Sequence, residues 1–310
     1  MERNEIVIGS RGSELALVQS NLVINELKKH YPNIDFKIKI IKTKGDKILD
    51  KTLDKIGGKG LFVKEIENAL LEDEIDIAVH SMKDVPSEFP EGLEISAITK
   101  RKDVRDILVS KDGKNFEDLK VGAKLGTSSL RRGAQLKGLR NDIEIVPVRG
   151  NVQTRINKIQ ELDLDGVILA AAGLLRLGLD DEISQYFDAG DIVPAVGQGA
   201  LGIETRKDDV FIKEAVSKIN DNLTEIAIMA ERTFMKILNG GCHVPVGAFA
   251  YVESEKLKMI GLVASLDGQN VIKVSDEDKT ENYAELGKRI ANEVLSRGGR
   301  DILQEVEGGN

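Results

Sequence analysis

Short apolar runs of strand length alternate with amphipathic helical segments through the first two thirds of the chain, and this alternation most restricts the fold. Glu5 to Gly9 is a strand, and Ser13 to His30 is a helix ending in Lys28, Lys29 and His30 before Pro32. Asp35 to Thr43 (DFKIKIIKT) then alternates at period two. Phe62, Ile66 and Leu70 share one helical face, Ile75 to Val79 reads as a buried strand, and the pattern recurs through Asp106 to Ser110, Asp142 to Val148 and Gly166 to Ala170. Repeated strand–turn–helix–strand units place strands side by side in parallel with helices on both faces. The expected class is α/β, with two doubly wound lobes and mainly parallel sheets.

From about Asn222 the pattern changes. Leu223, Ile226, Ala230, Phe234 and Ile237 mark a helix started by Asn222, with Glu225 three residues on, and stopped at Asn239-Gly240-Gly241. Alternating strands follow at His243 to Val252 and Lys256 to Ser265, then a turn at Asp267-Gly268, another strand, and a last helix from Asn282 to Arg297. This is a small C-terminal α+β domain. At 310 residues the chain is about twice the usual domain length. The expected division is a first α/β domain over 1–99 with 195–220, a second over 100–194, and the α+β domain over 221–310. The charged stretch Lys100 to Arg105 connects the first two.

The formal net charge of −8 argues against nucleic acid or an anionic membrane as the main partner. With no Trp and 4% aromatic residues, a stacking platform for single strands is also disfavoured. The longest apolar stretch, Gly166 to Leu175, is far short of the roughly 20 residues a membrane span needs. The start, MERNEIVIGS, lacks an export pattern, and one cysteine cannot form an intrachain disulfide, so the expected location is the cytoplasm.

Basic residues recur where a strand hands over to a helix. Arg11 and Ser13 follow the first strand, Ser81 and Lys83 lie in AVHSMKDVP, and GTSSLRR runs from Gly126 to Arg132. Arg149 closes another strand, with Arg155 and Arg176 on adjacent helices. Helix N-termini expose unpaired N–H groups, and in parallel sheets such turns open at the carboxyl edge where ligands bind. Most of the 44 Lys and Arg residues are ordinary solvated charges. Arginine nevertheless dominates these turns, and its planar fork suits carboxylates and phosphates. Together they predict exposed cationic turns and a polyanionic ligand.

Gly57-Gly58-Lys59-Gly60 fails the spacing of a phosphate loop, and the segment Lys44 to Gly60 reads as a flap carrying Lys55 and Lys59, or as a solvated loop. Asp84 follows Ser81 and Lys83, either as a cap or ion-pair partner, or as a catalyst. With a reference pKa of about 3.9, only about one such carboxyl in a thousand is protonated at pH 7, which suits it to stabilising a cation rather than donating a proton. Cys242, in LNGGCHVPVG, is the sole cysteine. Free cysteines are usually small buried hydrophobes. His243 beside it in a strand points to the opposite face, and one Cys with three scattered His makes a poor metal site. A thiol at a glycine hinge is left as a candidate for carrying something covalently.

The segments IGSRGSELAL, KGDKILD, GGKGLFVKEIE, DIAVHSMKDVP, GTSSLRR, VRGNVQTR, LAAAGLLRLG, PAVGQGALGIE and NGGCHVPVG, in this order from Ile8 to Gly247, closely resemble the hydroxymethylbilane synthase (porphobilinogen deaminase) family. Val104 and Asn239 depart from residues common in the family, a proline and an acidic residue respectively. The resemblance implies two lobes like those of two-lobed solute-binding proteins, with a third domain presenting Cys242 to the cleft. It implies a dipyrromethane cofactor held by a thioether to Cys242. Four porphobilinogen units are then added head to tail with loss of ammonia, and hydroxymethylbilane is released. By the same resemblance Lys83, Ser129, Arg131, Arg132, Ser81 and Gly173 hold the cofactor. Arg11, Ser13, Arg149, Arg155, Arg176, Lys55 and Lys59 bind substrate, Asp84 is catalytic, no metal takes part, and the enzyme is a monomer. A solute receptor for a carboxylated or phosphorylated ligand is the rival reading, distinguished by an export signal and the absence of a covalent adduct. Phosphoryl transfer lacks both a phosphate loop and metal carboxylates.

Overall fold

The computed structural model of the chain describes residues 3–43, 63–86, 88–239 and 244–308. The expected flap, with Lys55, Lys59 and Phe62, and the segment holding Cys242 and His243 lie outside the described residues. Two compact units form, one from 1–101 with 200–225 and the other from 102–199 with 226–310.

The first unit contains strands β1 (Glu5–Ser10), β2 (Asp35–Ile40), β3 (Ile77–Ser81), β4 (Leu93–Ile98) and β10 (Leu201–Arg206), ordered β2-β1-β3-β10-β4. Helices α1 (Glu14–His30) and α6 (Val210–Ser217) cover one face, where Ile6, Ile8, Leu27, Ile77, Ile203 and Ile212 form a core. Helix α2 (Lys64–Leu71) supplies Ile66, Ala69 and Leu70 to a second core with Ala78 and Leu93. Period-two alternation sorts β3 between these cores, sending Ile77 to one face and Ala78 to the other.

The second unit has a sheet ordered β7-β6-β8-β5-β9. Its strands are β5 (Asp106–Ser110), β6 (Lys124–Gly126), β7 (Glu144–Val146), β8 (Gly166–Ala170) and β9 (Gln185–Tyr186). Helix α3 (Leu130–Leu139) packs Leu136 on the face bearing Leu108, Leu125 and Ile168. Helices α4 (Val152–Glu161) and α5 (Ala171–Leu177) place Ile159 and Leu174 on the face bearing Ile107, Val109, Val167 and Leu169.

The same unit includes an antiparallel sheet of β11 (Val246–Glu253), β12 (Lys256–Ala264) and β13 (Val271–Lys279). It packs against α7 (Asn222–Ile237), α8 (Tyr283–Val294) and α9 (Arg300–Gly308), with Phe234, Met259 and Ile290 buried between them. A Cβ at Gly261 would fall 2.5 Å from the Phe234 ring, so only glycine lets that ring seat.

Three expectations need correction. The sheets are mixed: β1, β2 and β3 are parallel, as are β6, β7 and β8, but β10 runs antiparallel to β3 and β4, and β5 antiparallel to β8 and β9. Helix α7 is capped one residue early, because the Asp221 carboxylate accepts the Thr224 N–H at 2.8 Å. Finally, Gly298-Gly299 does not end the chain's helical structure. Gly298 at φ 104° turns α8 into α9 through one wide turn, and α9 buries Ile302, Leu303 and Val306.

Candidate anion-binding site

In the first unit, parallel neighbours β1 and β3 deliver the expected residues to one sheet edge. Arg11 and Ser13 follow β1, and Ser13 caps α1 by accepting the Ala16 N–H. Ser81 ends β3, and Met82–Asp84 form a single tight turn after it. Buried Met82 anchors that turn, leaving Lys83 half-buried and Asp84 exposed. Buried Gln19 on α1 donates to Ser81 Oγ at 3.0 Å, tying the two strand ends together. Behind them lies a buried cluster that sequence reasoning missed: His80 and Glu204 meet at 2.8 Å. Burial, reinforced by Glu204, pushes the nearby Glu67 carboxyl up.

In the second unit three parallel strands each feed a helix at their carboxyl ends. After β6, Ser129 caps α3, which carries Arg131 and Arg132 in its first turn. After β7 comes Arg149, and Asn151 caps α4 by accepting the Thr154 N–H at 2.8 Å. Arg155, on that first turn, donates Nε–H to Gly150 O at 2.8 Å. After β8, α5 carries Gly173 and Arg176. The structure thus brings Ser129, Arg131, Arg132, Arg149, Arg155, Gly173 and Arg176 to one edge of this sheet, and Arg11, Ser13, Ser81, Lys83 and Asp84 to one edge of the other.

Arg131 and Arg132 depart from the expected exposed turns, each being only 5% accessible. Both pair with Asp106, the fully buried first residue of β5. Arg132 donates Nε–H and Nη2–H to Asp106 Oδ1 at 2.9 and 2.7 Å, and Arg131 donates Nη1–H to Oδ2 at 2.7 Å. Burial would raise the Asp106 carboxyl, but the two arginine charges and their hydrogen bonds outweigh it and hold it well below the usual carboxylate range.

Arg176 is the contrasting case. Its Nη2 donates to Gly199 O at 2.7 Å, and it has no carboxylate partner among the described residues. Burial alone brings its guanidinium down to about 10. A half-buried cation without a carboxylate partner among the described residues is costly, and a ligand carboxylate would offset that cost.

Two α/β sheets with cationic, hydroxyl-bearing carboxyl edges define the class of the chain as a two-sheet α/β protein. Residues 6–214 match the family model described as porphobilinogen deaminase, dipyromethane cofactor binding domain, and 225–296 match the porphobilinogen deaminase C-terminal domain. The chain belongs to the porphobilinogen deaminase family. It is 52% identical over 305 residues to a porphobilinogen deaminase of Alkaliphilus metalliredigens, covering 98% of this chain and 96% of that one. It is also 52% identical over 307 residues to one of Natranaerobius thermophilus, covering 97% and 99%. Among solved structures, a YaeC-family lipoprotein from Enterococcus faecalis aligns with 18% identity and a TM-score of 0.42, over 70% of this chain and 92% of that one. The enzyme is therefore a transferase of tetrapyrrole biosynthesis with a dipyrromethane cofactor. It joins four porphobilinogen units head to tail with loss of ammonia and releases hydroxymethylbilane. No helix among the described residues is long and apolar enough to cross a membrane.

Proposed function

We propose that the two cationic edges hold the carboxylates of the cofactor and of the chain growing on it. The observation that carries this reading is Arg176, a half-buried guanidinium without a carboxylate partner among the described residues. Each pyrrole ring bears an acetate and a propionate, and the cationic and hydroxyl groups carried on the edges fit such a polycarboxylate. Ser81, Lys83, Ser129, Arg131, Arg132 and Gly173 would hold the cofactor, and Arg11, Ser13, Arg149, Arg155, Arg176, Lys55 and Lys59 the substrate and added rings. At about 1.5–3 kcal/mol per charged hydrogen bond, several such contacts hold a flexible chain in register.

Cys242 anchors the cofactor within a third domain spanning 221–310, against a first domain of 1–99 with 195–220 and a second of 100–194. Once bound, the cofactor supplies a tethered ring whose free α-carbon accepts the first porphobilinogen. Asp84 is the catalytic residue. Its carboxylate accepts pyrrole N–H bonds and stabilises the cation formed as ammonia departs. The aminomethyl group of porphobilinogen, an amine, is already protonated at neutral pH, which lightens the demand for an acid. The enzyme works as a cytoplasmic monomer, with porphobilinogen as its partner and neither nucleic acid nor membrane. Mixing purified protein with porphobilinogen tests the reading. Bound mass should rise in steps of one pyrrole unit before tetrapyrrole is released, and an unchanged mass with no product would refute it.

A further inference from the structure

The Asp106 carboxylate has a role that the polyanion reading does not assign. It sits on β5, while both of its arginines sit on α3, 25 and 26 positions along the chain. Oδ1 receives Nε–H and Nη2–H of Arg132 and an Nε2–H of Gln198 at 3.0 Å, and Oδ2 receives Nη1–H of Arg131. Gln198 also donates to Val104 O at 2.7 Å, so Asp106 is itself braced.

The two arginines are not equivalent. Arg132 donates through all three guanidinium nitrogens, Nη1 reaching Ile168 O at 3.2 Å. Arg131 donates only through Nη1, to Asp106 and to Val193 O at 2.7 Å. Its Nε and Nη2 have no protein partner among the described residues, yet neither is among the fully enclosed unpartnered atoms. The charges agree with the hydrogen bonds: one carboxylate against two guanidinium groups leaves one positive charge over.

We propose that Asp106 is a positioning residue for this reaction: by forking both arginines it fixes Arg132 as an anchor. It thereby holds the pair in one orientation with one surplus positive charge, matched to a single ligand carboxylate. This rests on the reading that these arginines hold cofactor or substrate carboxylates. Asp106 touches no ligand itself and acts through the two arginines it pairs with. This positioning role also explains why a carboxylate that cancels half of the pair's charge sits inside an anion site: a rigid fork with net charge +1 matches one carboxylate, whereas two loose arginines would match none in particular.

The test compares Asp106→Asn, which is nearly isosteric but uncharged, with Leu119→Ala, a core truncation in the same unit. For each, the melting temperature, the cofactor occupancy by intact mass, and the single-turnover rate of the first porphobilinogen addition per folded molecule are measured. Asp106→Asn should slow that addition about ten- to a hundredfold, the worth of a displaced charged hydrogen bond. Leu119→Ala, even with an equal fall in melting temperature, should stay within about twofold of wild type on this account. Equal rates per folded molecule in the two variants would make Asp106 purely structural and overturn the proposal. If Asp106→Asn fails to fold, Arg132→Lys decides: it keeps the charge but loses the fork, and a wild-type rate there would likewise overturn it. Arg131→Leu separates the two levels. A wild-type rate in Arg131→Leu removes the arginine pair from the site altogether, whereas a slow Arg131→Leu beside a normal Asp106→Asn rejects only the positioning role.

Discussion

Replacing Arg176 with methionine should leave the fold as stable or slightly more so while crippling elongation. Burial lowers the Arg176 guanidinium to about 10. A basic group whose folded pKa lies below its unfolded value bears its penalty in full below the folded pKa and is relieved only as pH climbs beyond it. At neutral pH the whole cost therefore falls on the folded state, and at about 1.36 kcal/mol per pH unit it is roughly 3 kcal/mol. Opposing it is one charge-assisted hydrogen bond, to Gly199 O at 2.7 Å, worth about 1.5–3 kcal/mol. Met keeps much of the stem's packing and removes both contributions, so the net change should lie between about 0 and +1.5 kcal/mol, a rise in melting temperature of at most about 5 °C. Thermal unfolding is compared in a Cys242→Ser background, so that neither protein carries cofactor. Elongation is read in the Cys242 background by single-turnover mass analysis and should fall at least about tenfold, as a bound carboxylate loses its charged donor. A melting temperature lowered by more than about 5 °C would mean that Arg176 is a structural cation with a counter-ion, and the reasoning from its burial would fail.

Other outcomes follow from the same geometry. Asp84→Asn should cut porphobilinogen addition by several orders of magnitude while Asp84→Glu retains measurable activity, since each 1.36 kcal/mol of lost cation stabilisation costs about tenfold. Equal rates in single turnover would return Asp84 to a capping role. Arg132→Leu should destabilise the protein by about 3–5 kcal/mol, because it strips a buried carboxylate of its forked partner. Denaturant titration checks this, and a loss below about 1 kcal/mol would contradict the Asp106 pairing. Glu67→Gln should raise the melting temperature at pH 8. Its carboxyl is raised by burial, so the fold favours the neutral form, and the stability this provides fades as pH rises through the folded pKa. The gain should shrink towards pH 4, and a gain independent of pH would rule out ionisation as its cause.

What the sequence made legible was local. The strands Asp106–Ser110 and Gly166–Ala170 have the ends read from their apolar runs, and Ser13 caps α1 as its position before the first helical turn suggests. The cationic turns were legible too, because strand-to-helix transitions and arginine are both visible in one dimension. Strand direction was not: β10 carries the same apolar pattern whether it runs with β3 or against it. A glycine pair reads as a helix stop, yet at Gly298 the left-handed conformation redirects the chain into a further helix. Asp106 escaped notice because one aspartate at the start of an apolar strand has no periodic signature. Its partners are fixed only when α3 docks on the sheet. The same docking turned Arg131 and Arg132 from expected surface charges into buried ones.

The central claim, a covalent primer on the sole cysteine, is tested most directly by the intact mass of the purified protein, followed by peptide mapping. The chain mass is 33.9 kDa. Protein from cells that make porphobilinogen should exceed it by one dipyrromethane unit, located on Cys242, and Cys242→Ser should show the chain mass alone. An unmodified wild-type protein that still turns over porphobilinogen, or an adduct that persists in Cys242→Ser, would contradict the account.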